Sequence, residues 1–231
     1  MSDVQRAATA EPILLVDTAD IPGGGELHLM RCGDEFSIQF DAEELMGSEV
    51  RHSEEALATI VCERIGDRDA TILIGGLGMG FTLGAALAAS PMNARIVVAE
   101  LVPKVVTWAK GPLAHLFGDY LSDPRVSIEM RDIHDVIDDA DARFDAILLD
   151  VDNGPDGFMR PANDRLYCNW GLRSAHAALK PDGLLAVWSA YADAPFVERL
   201  EKARFDVEEV SMSANFDDDG RHFIWLASRR N

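Results

Sequence analysis

Basic residues are scarce in this chain: 21 Lys and Arg stand against 40 Asp and Glu, a formal net charge of −19. A surface this negative repels phosphate backbones, which argues against nucleic acid as a partner, and attracts cations such as amines; solubility alone explains the same excess. Cysteine is also sparse. Cys32, Cys62 and Cys168 are odd in number and none stand at a C-x-x-C spacing, so a disulfide framework is not expected and a reduced, cytoplasmic setting is. The first dozen residues contain no apolar run, and no secretory leader is expected. The longest apolar stretch, residues 72–89, is broken by Gly75, Gly76, Gly78, Gly80 and Gly84, which suits strand, loop and helix better than a bilayer. The histidines lack metal-ligand spacing, so no metal is expected. Ser189 sits in no G-x-S-x-G elbow, and the Lys-Ser/Thr of a P-loop is missing.

What is present suits one α/β unit with an appendage. Apolar residues make up 48% of the 231 positions, enough for a sizeable core. Residues 27–31 and 36–40 alternate around the turn Cys32-Gly33-Asp34, which predicts a hairpin. Ser53 reads as an N-cap with Glu54 and Glu55 in the first helical turn, before a helix over 56–65. After Gly66 strands (71–74, 95–99, 126–129, 146–149, 184–188) alternate with helices (81–89, from 103, 133–137, 172–179, 196–203), and 207–212 and 223–227 close the chain as strands. The pattern predicts a seven-stranded, mostly parallel, Rossmann-like sheet with helices on both faces. Residues 1–50 read as a tail and small β-rich region, and 51–231 as the α/β domain.

In an open sheet of this kind ligands bind beyond the carboxyl ends of the strands. The first of these strands ends at Gly75-Gly76-Leu77-Gly78-Met79-Gly80, a turn whose backbone lets a ligand approach closely. The spacing at Gly76, Gly78 and Gly80 is not the G-x-G-x-x-G of dinucleotide sites. Glu100, with Leu101 after it, closes the next strand roughly 20 residues on, where a carboxylate can accept from ribose hydroxyls. Asp132, followed by Ile133, closes the third; it suits an adenine amino group, and it suits a helix N-cap equally. Asp150 ends the buried strand Asp145-Ala-Ile-Leu-Leu-Asp150 and is placed to act as a base on an attacking amine. Asp152 adds a second carboxylate, which favours a cation. Asn153 and Tyr167 are the substrate-side candidates, although Tyr167, Asn169 and Trp170 read first as packing.

These residues resemble the spermidine synthase family, aminopropyltransferases on the class I S-adenosylmethionine-dependent methyltransferase fold. The similarity runs over roughly 70–190 and rests on the glycine turn, Val97-Val-Ala-Glu100-Leu101, Asp123-Pro-Arg-Val126, Asp132, Phe144-Asp-Ala-Ile-Leu-Leu-Asp150 and Leu179-Lys-Pro-Asp-Gly183. The resemblance implies S-adenosylmethionine or its decarboxylated form as co-substrate, held by Gly76, Gly78, Met79, Gly80, Glu100, Leu101, Asp132, Ile133 and Asp150. It implies Asp150 and Asp152 as catalytic acids, a small amine as acceptor and a homodimer. Two departures stand out: Met79 takes the place of an acid that the family uses at the donor's amine end, and Asn153 falls where the family has further acidic or hydroxyl residues. Methyl transfer to a small metabolite, and nucleoside binding without catalysis, therefore stay open beside aminopropyl transfer.

Overall fold

The computed structural model describes residues 11–151, 155, 164–213 and 220–230. Four antiparallel strands come first: β1 (Ile13–Asp20), β2 (Glu26–Cys32), β3 (Glu35–Phe40) and β4 (Glu43–Gly47), paired in chain order. The expected hairpin is β2–β3, with Leu29 opposite Ile38 and Gly33 in the turn at φ +61°. It carries a strand on each side that alternation alone did not reveal. A bulge in β1 sets Asp17 against α3 (Pro103–Lys110), where it accepts from Trp108 Nε1 at 2.9 Å and pairs with Lys104 at 3.0 Å. That contact pins the small sheet over the larger one.

The second sheet has seven strands in the order β10-β11-β9-β8-β5-β6-β7. These are β5 (Thr71–Gly75), β6 (Arg95–Ala99), β7 (Val126–Glu129), β8 (Phe144–Leu149), β9 (Leu179–Ser189), β10 (Phe205–Ser213) and β11 (Arg221–Arg229). Only β11 runs against its neighbours. The strand order reverses at β5 and β8, so a crevice opens beyond their carboxyl ends. Strand β8 is buried at every residue; its one charge, Asp145, accepts from Thr71 N at 2.8 Å and Lys180 Nζ at 2.7 Å. The helices are α1 (His52–Ile65), α2 (Phe81–Ala89), α3, α4 (Ala114–Phe117), α5 (Ile133–Asp138), α6 (Asp164–Tyr167), α7 (Asn169–Ala178) and α8 (Ala194–Lys202). One apolar core lies under α1, α2, α3 and the small sheet, the other under α5, α7 and α8.

Three local expectations are corrected. Ser53 is not the N-cap of α1; the cap position falls two residues earlier, at Arg51, and the Ser53 hydroxyl is turned to other partners. The Lys180-Pro181-Asp182-Gly183 turn is absorbed into β9, with Asp182 at φ +61° and the register against β8 slipping there. Trp170, read as packing, is 66% exposed. Among the described residues no helix is long and apolar enough to cross a membrane.

Candidate functional site

The crevice at the sheet's carboxyl edge encloses about 1000 Å³ including its open mouth. Four strand ends reach it: Gly76 and Gly78 after β5, Glu100 and Leu101 after β6, Asp132 and Ile133 after β7, and Asp150 and Val151 after β8. Ile21, Leu27, Ile38, Leu45 and Met46 of the small sheet cover it from above. The N-terminal appendage is therefore part of the site's wall.

The glycine turn bends sharply. Gly76 sits at φ +86°, and a Cβ there would lie 3.1 Å from the Asp150 carbonyl oxygen, so a side chain would be both strained and crowded. Gly76 N donates to Ala99 O at 2.9 Å, which fixes the turn to the neighbouring strand end. Gly80 starts α2 at φ +83°, facing the Phe117 ring rather than the crevice. Met79 was expected on the co-substrate; its side chain is 0% exposed and packs in the core instead.

Glu100 is 6% exposed, and its two carboxylate oxygens accept separately from Leu77 N at 2.8 Å and Val102 N at 2.7 Å. One acid thereby holds the glycine turn and the start of α3 together. An ionised carboxylate has about four lone-pair sites, the acceptor chemistry that ribose hydroxyls require. The residues present thus fit an adenosine group. Asp132 caps α5, accepting from His134 N at 2.9 Å, and its other oxygen pairs with Arg165 of α6. It also lines the crevice, so capping and ligand contact are compatible.

Asp150 is half-buried after β8, where its Oδ2 accepts from Thr82 Oγ1 at 2.5 Å. Desolvation pushes its pKa up to about 6, and the Thr82 hydrogen bond pulls the other way. Sequence reasoning did not single out its neighbour Glu54, which lines the same crevice at 6% exposure. Burial, then repulsion from Asp150, pushes Glu54 up to about 7. The signal was legible: Glu54, Leu57, Ala58, Val61 and Cys62 form the buried stripe of α1 at helical spacing, and a carboxylate on an apolar stripe marks a site. Thr82 and Trp188 also belong here and carry no motif. Tyr167 is brought near but not in; its ring packs edge-on to Phe196 at 5.8 Å and its hydroxyl approaches Val151 O at 3.4 Å. Asp152 and Asn153 lie outside the described residues. Among the described residues no cluster of His, Cys, Asp or Glu is arranged to hold a metal ion.

A seven-stranded sheet of this order, with one antiparallel strand and a glycine turn after the central β5, is the fold of the class I methyltransferases. Among solved structures with this fold, the chain superposes on the spermidine synthase of Thermotoga maritima with a TM-score of 0.71 at 16% identity, covering 94% of this chain and 73% of that one. A spermidine synthase in complex with the transition-state analogue AdoDATO gives the same TM-score and identity, with 94% and 72% covered. The 1,6-didemethyltoxoflavin-N1-methyltransferase of Burkholderia thailandensis, solved with S-adenosylhomocysteine, gives 0.54 at 23% identity over 78% of this chain and 80% of its own. The small N-terminal sheet lies within the longer superposition. No protein-family model matches the sequence, and no curated protein matches it.

Proposed function

We propose that this chain is a transferase that binds S-adenosylmethionine or its decarboxylated form and moves an aminopropyl group to a small amine. One observation carries the reading: the turn at Gly76–Gly78, Glu100, Asp132 and the carboxylates Asp150 and Glu54 line a single crevice, and no Lys or Arg is among its described lining residues. A sulfonium donor and an amine acceptor are cations, and an acid-lined, partly desolvated crevice favours both. Gly76, Gly78, Glu100, Leu101, Asp132 and Ile133 would hold the nucleoside. Asp150, with a pKa near 6, is ionised at neutral pH and suited to take the amine's proton as its nitrogen attacks. Glu54 would hold the amine from a second side. Residues 51–231 form the transferase unit in this reading and residues 1–50 its cover.

The test is incubation with the decarboxylated donor and a panel of di- and polyamines, followed by assay of methylthioadenosine. Release that depends on the amine and is lost in Asp150→Asn supports the proposal; no release with any amine overturns it. Methyl transfer is the second reading, and the placement of Met79 favours it: a core methionine leaves the glycine turn without a carboxylate for the donor's amine end. Calorimetry with the two donors separates the two, tighter binding of the decarboxylated form counting against methyl transfer. The apolar run Ile13–Val16 on the exposed edge strand β1 supports a homodimer, which sedimentation would test. The free thiols of Cys32, Cys62 and Cys168 support a cytoplasmic setting.

A further inference from the structure

A line of hydrogen bonds leads from the acid pair to the far strand β11. Ser53 Oγ donates to Glu54 Oε2 at 2.7 Å and lies 2.8 Å from His222 Nδ1. Ser53 is fully buried, while His222 is half-buried on β11. The imidazole is set edge-on against Trp188, ring centroids 4.8 Å apart, and Trp188 itself lines the crevice. A serine hydroxyl donates once and accepts twice, so the line works in either sense: His222 to Ser53 to Glu54, or the reverse. Residues 53 and 222 meet across 169 positions of sequence, and the hydroxyl that the sequence offers as a helix cap has left the cap to make this contact.

We propose that Ser53 and His222 are positioning residues that conduct the acceptor amine's proton out of the crevice. The inference rests on the transferase reading above. In that reaction the nitrogen lone pair forms the new N–C bond, and the C–S bond breaks with its electron pair left on sulfur, which becomes a neutral thioether. The charge moves to nitrogen and the nitrogen's surplus proton passes to the carboxylates of Asp150 and Glu54. The small sheet covers part of this end, and the Ser53–His222 line gives the proton a path besides the crevice's open mouth. From Glu54 it passes to Ser53 Oγ as the Ser53 proton moves to His222 Nδ1, and the ring releases its Nε2 proton on the side away from Ser53. Among the described residues the ionisable groups acting on Glu54 include Asp150 after β8 and Glu55 on α1. Arg221, next to His222, is turned to Ser211 Oγ at 2.5 Å on β10.

The test compares His222→Ala and His222→Phe with the wild-type chain under single-turnover and steady-state conditions. A proton route predicts that kcat falls about 10- to 100-fold in both, with KM within about twofold, and that the solvent deuterium isotope effect on kcat grows. Added imidazole restores His222→Ala, whose cavity admits it, and leaves His222→Phe slow. Full kcat in His222→Phe, or a loss confined to KM, overturns the proposal by showing that the ring only packs. A second measurement needs no turnover: the ring ¹⁵N resonances of His222 are followed in wild-type and Glu54→Gln chains. Coupling through Ser53 predicts a changed Nδ1 shift and a lowered titration midpoint in the variant; unchanged resonances overturn the route. A wild-type chain that turns over no substrate sinks the transferase reading, whereas an active wild-type chain with an unaffected His222→Phe sinks the proton route alone.

Discussion

Thr82 Oγ1 and Asp150 Oδ2 stand 2.5 Å apart, a hydrogen bond that ties the helix after the glycine turn to the strand end that bears the candidate base. It is the one contact that holds the Asp150 pKa down against burial. Thr82→Val keeps the side chain's shape and removes the donor. The Asp150 pKa then rises above its present value of about 6, and the acid limb of the kcat/KM profile, which reports the ionised base, moves to higher pH. Activity near neutrality falls while activity well above that limb recovers. A limb that stays in place would show that Asp150 is not the base.

Glu54 predicts a stability trend of definite sign. Its folded pKa of about 7 lies above the ordinary 4.5, so the folded chain retains a proton that the unfolded chain releases. Its contribution is fully present below pH 4.5 and is lost as the pH rises through about 7. Glu54→Gln removes that loss. The variant should exceed wild type by about 2 kcal/mol at pH 8 and by little at pH 4 in urea unfolding. Equal differences at both pH values would contradict the burial assigned to this carboxylate.

Gly78 and Gly80 should respond differently to alanine. Both have positive φ, and each substitution carries that strain, about 1 kcal/mol. At Gly78 the new Cβ meets only the terminal sulfur and methyl of Met46, 2.9 Å away, at the flexible end of a side chain. At Gly80 it would lie 2.5 Å from the Phe117 ring, which is held in the core. Gly80→Ala is expected to cost about 2–3 kcal/mol more than Gly78→Ala by denaturant titration.

Glu100→Ala leaves the N–H groups of Leu77 and Val102 buried without their acceptor. A loss of about 2–4 kcal/mol in stability follows, with weakened nucleoside binding by calorimetry. Glu100→Gln retains one acceptor oxygen and should fall between the two. Unchanged binding in the alanine variant would remove Glu100 from the site.

Much of the larger sheet is readable residue by residue. Arg95–Ala99 and Phe81–Ala89 fall where apolar runs and breakers set them, because a parallel strand covered on both faces is apolar over its buried length, here 96–99, and Ser90-Pro91 ends the helix. The ends at Glu100, Asp132 and Asp150 are legible for the same reason: polarity returns where a strand leaves the core. Strand β1 was less so, since its exposed Ile13–Val16 alternates on neither face.

The sequence by itself determined the order of strands and helices, the backbone bend at Gly76–Gly78 and the acids that close three strands, since these depend on local chemistry. Only the tertiary structure decided that Met79 turns into the core, that Ser53 leaves its cap for His222, and that Glu54 lies with Asp150 behind the small N-terminal sheet. These three are decided by packing between segments far apart in the chain. A carboxylate's pKa and a hydroxyl's partner are set by what surrounds them in space, which local spacing does not encode.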